Sequence, residues 1–297
     1  EGLNGYQPLP SETANNMTLL INAYTPEETS VSVQKVWNDD GNRDGIRPES
    51  ITVTLYAEAD DVAKHKVDEA VLNETNHWAA TKSGLAKNVN GKPYTYTWEE
   101  ENVPDGYTLT TGYDSEDTDK TILTNTHTPE TVNATVVKVW DDADNQDGKR
   151  PSEIKIHLFA DGTELADKVQ TVTAANNWSW SFTDLPKYKD AGTEIEYTIT
   201  EDAVENYTTV VDGYNVTNMH IPATIDINGS KTWNDAKNQD GKRPDGVTLH
   251  LYKEGEGIEK AEVTDVEPTW VKTGDEWGYS YKGLPKYEGG KELTYTI

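Results

Sequence analysis

The 297-residue sequence predicts an all-β protein of tandem β-sandwich modules in an elongated array. Sequence blocks recur about 100 residues apart, a period typical of whole domains rather than of solenoid units. Within each block, short segments alternate β-branched or aromatic residues with polar ones, as half-buried strands do. Turn dipeptides such as Asp44-Gly45, Asn90-Gly91 and Asp147-Gly148 separate these segments. No stretch shows convincing helical periodicity.

Composition excludes several classes of function. Asp and Glu number 53 against 26 Lys and Arg, a formal net charge of −27. Such a field repels phosphate backbones and anionic lipids, so we expect no nucleic-acid and no membrane partner. The absence of cysteine excludes disulfides, thiol nucleophiles and thiolate metal sites. Aliphatic residues are sparse, but nine Trp and 16 Tyr supply large side chains for a thin core.

A Lys-x-Trp block sets the phase of the repeats. It occurs three times: KVWNDDGNRDGIRP at 35–48, KVWDDADNQDGKRP at 138–151 and KTWNDAKNQDGKRP at 231–244. A closing block occurs twice downstream of it: ILTNTHTP at 122–129 and NVTNMHIP at 215–222. These phases predict four parts of the chain: the C-terminal tail of a preceding module (1–27), module 1 (28–129), module 2 (130–222) and the N-terminal part of a third module (223–297).

Each complete module places three polar residues on apolar strand faces. Because side chains alternate along a strand, Lys35 shares a face with Val33 and Trp37. The same alternation sets a glutamate in a later strand and an asparagine in the closing strand among apolar neighbours. The residues so placed are Lys35, Glu100 and Asn125 in module 1, and Lys138, Glu201 and Asn218 in module 2.

Two interpretations of these residues follow from their chemistry. A buried ammonium must be paired or neutralised, so the first is a Lys–Glu ion pair with a hydrogen-bonded Asn. In the second, burial lowers the pKa of the lysine and raises that of the glutamate. The neutral amine then attacks the Asn carboxamide, the glutamate shuttles protons, and ammonia leaves. The product is a Lys–Asn isopeptide bond. The residues alone leave both interpretations open.

The strings KVWDDADNQDGKRP, LPKY, EYTITE and VTNMH resemble the Cna protein B-type repeats of Gram-positive surface adhesins and pilins. The resemblance implies an immunoglobulin-like or prealbumin-like β-sandwich. It also implies cross-links Lys35–Asn125, assisted by Glu100, and Lys138–Asn218, assisted by Glu201. In module 1, Glu99 and Glu101 flank Glu100, and strand alternation selects Glu100. In the partial modules, Asn22 and Lys231 match the bonding residues.

The resemblance further implies a function. It predicts stalk repeats of a secreted, cell-wall-anchored adhesin, with neighbouring repeats as partners and any host matrix or glycan ligand bound elsewhere in the full protein. Its signal peptide and anchor are expected to lie outside the sequence. Apart from single-turnover cross-linking we expect no enzymatic activity, and we expect no cofactor. The alternative is a ligand-binding module that uses exposed aromatics or loops, for which the module 1 insert around 60–76 is the first place to look.

Two metal hypotheses are weak. Residues 40–45 fit the start of a calcium-binding loop, but Ile51 stands where such a loop needs Glu. A polar hairpin loop is the favoured interpretation. His127 and His220 recur just after the asparagines, but two histidines without further ligands are a poor metal signal. We therefore expect no metal site.

Overall fold

The computed structural model of the chain describes residues 5–297 and confirms the predicted all-β fold. Residues 5–27 form short strands: β1 (Gln7–Pro8), β2 (Glu12–Ala14), β3 (Met17–Leu19) and β4 (Asn22–Ala23). β1 pairs with β4 and β2 with β3, both antiparallel. The helical elements among the described residues are single 3-10 turns at Glu74–Asn76, Ala166–Lys168, Ala174–Asn176 and Asp190–Gly192. Within residues 5–297, no helix has the length and apolar character needed to cross a membrane.

Module 1 is a two-sheet sandwich. Its strands are β5 (Glu28–Asn38), β6 (Ser50–Ala59), β7 (Val62–Asn73), β8 (Ala79–Ala86), β9 (Asn88–Val89), β10 (Lys92–Pro93), β11 (Thr95–Glu99), β12 (Thr108–Tyr113) and β13 (Lys120–Thr126). One sheet has the order β12-β13-β5-β8 and the other β11-β6-β7, while β9 and β10 form a small hairpin. Leu55 and Trp98 from one sheet meet Val33 and Leu123 from the other in a common core.

Module 2 has the same arrangement. Its strands are β14 (Thr131–Asp141), β15 (Glu153–Ala160), β16 (Thr163–Glu164), β17 (Gln170–Thr173), β18 (Ser179–Pro186), β19 (Tyr188–Lys189), β20 (Thr193–Glu194), β21 (Tyr197–Glu201), β22 (Thr208–Asp212) and β23 (Asn215–Met219). One sheet runs β18-β14-β23-β22; in the other, β15 pairs with β16, β17 and β21. Val136, Ile156, Leu158 and Val216 are fully buried between them.

Residues 223–297 form two further sheets over a smaller core. Their strands are β24 (Thr224–Thr232), β25 (Leu251–Gly255), β26 (Ile258–Val263), β27 (Thr269–Thr273), β28 (Glu276–Pro285), β29 (Tyr287–Glu288) and β30 (Lys291–Thr296). The strand orders are β24-β28-β27 and β26-β25-β30-β29. Leu251, Tyr281 and Leu284 are the buried residues of this core.

The module 1 insert is a strand rather than a free loop. Most of residues 60–76 belong to β7, which pairs antiparallel with β6 in the order β11-β6-β7. Two of its charged side chains form ion pairs: Lys64 with Glu99 at 2.6 Å and Asp68 with Lys82 at 2.6 Å. Charged side chains of this kind protect an edge strand from pairing with other chains. The polar run of the insert is therefore the solvated face of an edge strand.

By contact density the chain divides into two compact units. The first holds residues up to Thr131 together with Pro186–Ile195, and the second holds Val132–Leu185 with Glu196–Ile297. The segment 186–195 carries β19 and β20 and groups with the first unit, so this division departs from the repeat boundaries of the sequence.

Candidate functional site

The strand register brings the predicted lysine and asparagine of each module together. β13 lies parallel to β5, with Leu123 opposite Lys35 and Asn125 opposite Trp37. Because side chains alternate with a period of two, Lys35, Leu123 and Asn125 all point into the sandwich. The asparagine therefore lies one inward position beyond the residue that faces the lysine, within reach of a long side chain.

Module 2 repeats this register without change. β23 lies parallel to β14, with Val216 opposite Lys138 and Asn218 opposite Trp140. The offset between lysine and asparagine is thus the same in both modules. In each case the lysine comes from the first long strand of the module and the asparagine from its last strand.

In module 1 the glutamate lies between the other two residues. Lys35 Nζ is 3.2 Å from Glu100 Oε2, and both side chains are fully buried. Asn125 Nδ2 donates to Glu100 Oε1 at 2.9 Å, and Asn125 is also fully buried. Lys35 Nζ donates in addition to the Leu123 carbonyl at 3.3 Å. One carboxylate therefore touches both the amine and the carboxamide.

In module 2 the lysine and the glutamate meet with a looser contact, and the strand register places the asparagine nearby. Lys138 Nζ is 3.8 Å from Glu201 Oε1, and both side chains are fully buried. Lys138 Nζ donates to the Val139 carbonyl at 3.0 Å, and Glu201 Oε2 accepts from Thr209 Oγ1 at 3.0 Å. Asn218 is fully buried, and neither Nδ2 nor Oδ1 has a hydrogen-bond partner among the described residues. A buried carboxamide without partners is costly.

Burial shifts the lysines toward their neutral form. It lowers the pKa of Lys35 from 10.5 to about 8, although the charge of Glu100 partly opposes this. It lowers the pKa of Lys138 to about 8 in the same way, with Glu201 opposing. Each ammonium also lies over an indole: Lys35 Nζ is 4.6 Å from the Trp37 ring centre, and Lys138 Nζ is 4.0 Å from that of Trp140. Both amines are held in place close to a carboxylate.

The flanking glutamates of module 1 point elsewhere. Glu99 is 39% exposed and pairs with Lys64, while Glu101 accepts from the Tyr56 hydroxyl at the surface. Of the three consecutive glutamates, Glu100 is the one placed in the core beside Lys35.

The equivalents in the partial modules lie in open positions. Asn22 is exposed on β4, opposite Pro8 of β1. Lys231 on β24 lies over the Trp233 ring at 4.2 Å and donates to the Thr232 carbonyl at 2.8 Å. Within residues 5–297, neither has an acidic partner like Glu100 or Glu201.

A second buried cluster was missed at the sequence level. Asp142 is 1% exposed and accepts from Arg150 Nη2 at 2.7 Å, Arg150 Nε at 3.1 Å and the Tyr207 hydroxyl at 2.8 Å. Asp39, Arg47 and Tyr107 form the same network in module 1. The guanidinium lies against the Trp of the Lys-x-Trp block, at 5.4 Å in module 2. We call this group of Asp, Arg and Tyr the carboxylate frame.

A recurring spacing was the available signal for the frame. Asp and Arg stand eight residues apart in all three repeats, as Asp39–Arg47, Asp142–Arg150 and Asp235–Arg243. Burial alone would raise the pKa of Asp142, but hydrogen bonds from Arg150, the Asn145 amide and Tyr207 outweigh it and lower the pKa. In module 1 the segment first considered for calcium, residues 40–45, directly follows Asp39, whose buried carboxylate accepts from Arg47 and Tyr107. Residues 5–297 contain no group of three or more acids or histidines that could hold a metal ion.

Two rows of aromatic residues at a spacing of two, Trp178, Trp180 and Phe182 in module 2 and Trp277, Tyr279 and Tyr281 in residues 223–297, lie mainly in cores. Trp277 is 7% and Tyr281 2% exposed in residues 223–297, and Phe182 is 3% exposed in module 2. Trp180, on the edge strand β18, is the exception and is 37% exposed.

Comparison with known proteins gives a consistent result. The family model described as Cna protein B-type domain matches residues 31–126, 134–219 and 227–297. The collagen adhesin of Staphylococcus aureus is 41% identical over 282 residues, which is 95% of the chain and 22% of that relative. The chain thus spans about a fifth of the length of the relative.

One solved structure agrees with the family match. The crystal structure of two B repeat units of the collagen binding protein of Staphylococcus aureus is 36% identical, covers 99% of the chain and 74% of its own, and has a TM-score of 0.59. A single B repeat unit of the same protein is 36% identical over 66% of the chain, with a TM-score of 0.30.

Proposed function

The chain belongs to the Cna protein B-type domain family, and we propose that modules 28–129 and 130–222 are stalk repeats of a bacterial surface adhesin, each locked by an internal Lys–Asn isopeptide bond. The observation that carries the proposal is the meeting of an amine, a carboxyl and a carboxamide in the core of module 1, together with the same strand register in module 2. Glu100 Oε2 is 3.2 Å from Lys35 Nζ, and its Oε1 is 2.9 Å from Asn125 Nδ2.

The proposed reaction starts with one proton transfer. Moving a proton from Lys35 Nζ to Glu100 converts the ion pair into a neutral amine and a carboxylic acid. Burial lowers the pKa of Lys35 to about 8, which makes its proton easier to remove. The same proton transfer applies to Lys138 and Glu201 in module 2.

Bond formation then follows. The free pair on Nζ attacks Cγ of Asn125, and the carbonyl electrons move onto Oδ1. Glu100 takes a proton from Nζ and delivers one to Nδ2, and the C–N bond to Nδ2 breaks. One amide bond forms, one breaks, and one ammonia leaves. Because both ends are held in a rigid core, the attack is effectively unimolecular.

The unpaired atoms of module 2 favour this reaction over a permanent ion pair. Asn218 Nδ2 and Oδ1 and Glu201 Oε1 are buried without hydrogen bonds among the described residues. Loss of ammonia removes Nδ2 altogether and makes the lysine part of an amide. The product therefore removes the buried lysine charge and the unpaired carboxamide nitrogen in one step.

The bond would suit a stalk because it joins the first and last strands of a module. β5 and β13 are parallel neighbours, and so are β14 and β23. Tension entering along the first strand would pass through the amide to the last strand and bypass the chain between. We place such repeats outside the cell, on the bacterial surface, and assign any matrix or glycan ligand to other parts of the protein.

The intact mass under denaturing conditions tests the chemistry. The chain is expected to be about 34 Da lighter than its sequence, one ammonia of about 17 Da for each module. Glu100→Gln and Glu201→Gln should each restore about 17 Da after allowance for the substitution itself. Glu99→Gln and Glu196→Gln are matched controls at exposed positions and should keep the full deficit. Folded protein of full sequence mass would refute the covalent proposal.

Mechanical pulling tests the stalk role. In the wild-type chain, the 80 residue steps from Lys138 to Asn218 should never extend, because the bond closes them off. In Asn218→Ala they should unfold and lengthen the chain by roughly 270 Å, at about 3.4 Å per residue. We would measure this by single-molecule force spectroscopy of the full chain. An equal extension of both proteins would contradict the stalk mechanism.

A further inference from the structure

The end of each module carries a second repeated contact, made by a histidine and an aspartate. His127 follows β13 directly, and His220 follows β23 directly. Their ring Nε2 atoms face the carboxylates of Asp44 at 2.9 Å and Asp147 at 3.1 Å. Both aspartates are at least nine-tenths buried. The cross-linking chemistry above uses none of these residues.

Each aspartate also holds the residue that precedes the next long strand. Asp44 Oδ2 accepts from the Glu130 amide at 2.8 Å, and β14 begins at Thr131. Asp147 Oδ2 accepts from the Ala223 amide at 2.8 Å, and β24 begins at Thr224. One carboxylate oxygen therefore bridges the end of one repeat and the start of the following strand. Corresponding hydrogen-bond distances at the two sites agree within 0.2 Å.

The opposite side of each imidazole fixes its protonation. His127 Nδ1 is 2.9 Å from the Gly106 carbonyl, and His220 Nδ1 is 2.9 Å from the Asn206 carbonyl. A carbonyl oxygen and a carboxylate oxygen can only accept. Both ring nitrogens must therefore carry a hydrogen, which is the state of the imidazolium and not of neutral histidine. Neutral histidine would lose one of the two hydrogen bonds.

Within the first compact unit, the loop that carries Asp44 makes a further contact. The Arg43 carbonyl accepts from the Gly192 amide at 2.8 Å, and Gly45 has a φ of +70° where a Cβ would lie 2.6 Å from the Ala191 backbone. In the second unit the Gln146 carbonyl accepts from the Gly290 amide at 3.0 Å. The aspartate loop is thus anchored at both repeats in the same way.

We propose that Asp44–His127 and Asp147–His220 are proton-dependent latches that fix the start of the strand following each module. With the imidazolium present, its positive charge balances that of the carboxylate, which accepts the hydrogen bond from the Glu130 or Ala223 amide. When the proton is lost, the buried carboxylate loses its cation and the segment that leads into the next strand loosens. The stiffness of the segment between each histidine and the next long strand therefore depends on pH, independently of the proposed isopeptide bonds.

The surrounding charges act in the same direction. The hydrogen bond with Asp44 raises the pKa of His127, which also faces Asp39 and the Tyr107 ring. The hydrogen bond with Asp147 raises the pKa of His220, which also faces Asp142 and the Tyr207 ring. Because the pKa of each histidine is higher in the folded chain than in the unfolded one, the latch stabilises the fold fully below the ordinary histidine pKa of about 6.5. Its contribution disappears as pH rises through the folded pKa.

Amide hydrogen exchange in the full chain tests the latch. After correction for intrinsic exchange, the protection of the Glu130 and Ala223 amides should fall about tenfold between pH 5.5 and pH 8.5. In His127→Gln, the pH dependence should vanish at Glu130 and persist at Ala223, so each joint serves as the control for the other. His65→Gln alters an exposed histidine and should change neither.

A titration of the wild-type chain needs no variant. The ring resonances of His127 and His220 should titrate above pH 6.5, and the fall in amide protection should follow them. Protection that is equal at both pH values, or pH dependence at Glu130 that survives in His127→Gln, would overturn the proposal. Titration of both histidines at or below pH 6.5 would overturn it too.

Discussion

Asn218→Ala is expected to destabilise module 2 by about 4.5 kcal/mol, because it removes the proposed isopeptide bond, which would close 80 residue steps of chain. By analogy with disulfides, such a closure limits the entropy of the unfolded chain. For a domain of this size the loss corresponds to a midpoint lower by on the order of 20 °C. Scanning calorimetry would measure the transition, and hydrogen exchange of β15 would assign it to module 2.

The sign of the effect separates the two interpretations of the buried cluster. If Lys138 and Glu201 formed only an ion pair, Ala in place of Asn218 would remove a buried carboxamide that has no hydrogen-bond partner among the described residues. Such a change is close to neutral or stabilising. Asn215→Ala is the matched control, since Asn215 lies exposed on the same strand. An unchanged or higher midpoint in Asn218→Ala would contradict the covalent bond.

Strand alternation explains why half of the site could be predicted from the sequence. Lys35 and Lys138 stand at inward positions of long regular strands, where a period of two is unambiguous, and both are buried. The same alternation singled out Glu100 among three adjacent glutamates. A local pattern sufficed because each of these positions depends only on its own strand.

Contacts that depend on distant chain segments were not predictable in this way. The Tyr107 hydroxyl reaches Asp39 across 68 residues, and His127 reaches Asp44 across 83. Both aspartates sit around a loop in which Asp40 and Asn42 have positive φ, a conformation that no hydrophobic pattern encodes. The loop looked like a polar hairpin because two partners of its buried carboxylates, Tyr107 and His127, lie far along the chain.

Asp142→Asn is expected to destabilise module 2 by about 3 kcal/mol or more, through loss of the carboxylate frame. The carboxylate accepts two hydrogen bonds from Arg150 and one from Tyr207 and is 1% exposed. The variant leaves the Arg150 charge beside the Trp140 ring without its counter-ion. Chemical denaturation followed by hydrogen exchange of β15 would measure the change. Asp144→Asn, at an exposed position of the same loop, should have little effect.

The frame also predicts how stability responds to acid. Because hydrogen bonds hold the pKa of Asp142 below its ordinary value, this carboxylate stabilises the fold at pH values above its pKa in the unfolded chain, about 3.8. It is lost as pH falls through the lower folded pKa, when the carboxylate takes up a proton. Between pH 7 and pH 2, module 2 of the wild-type chain should therefore lose more stability than module 2 of Asp142→Asn. If the free energy of unfolding fell equally with pH in the two proteins, Asp142 would not be the counter-ion of Arg150. Another acceptor would then have to hold the guanidinium beside the Trp140 ring.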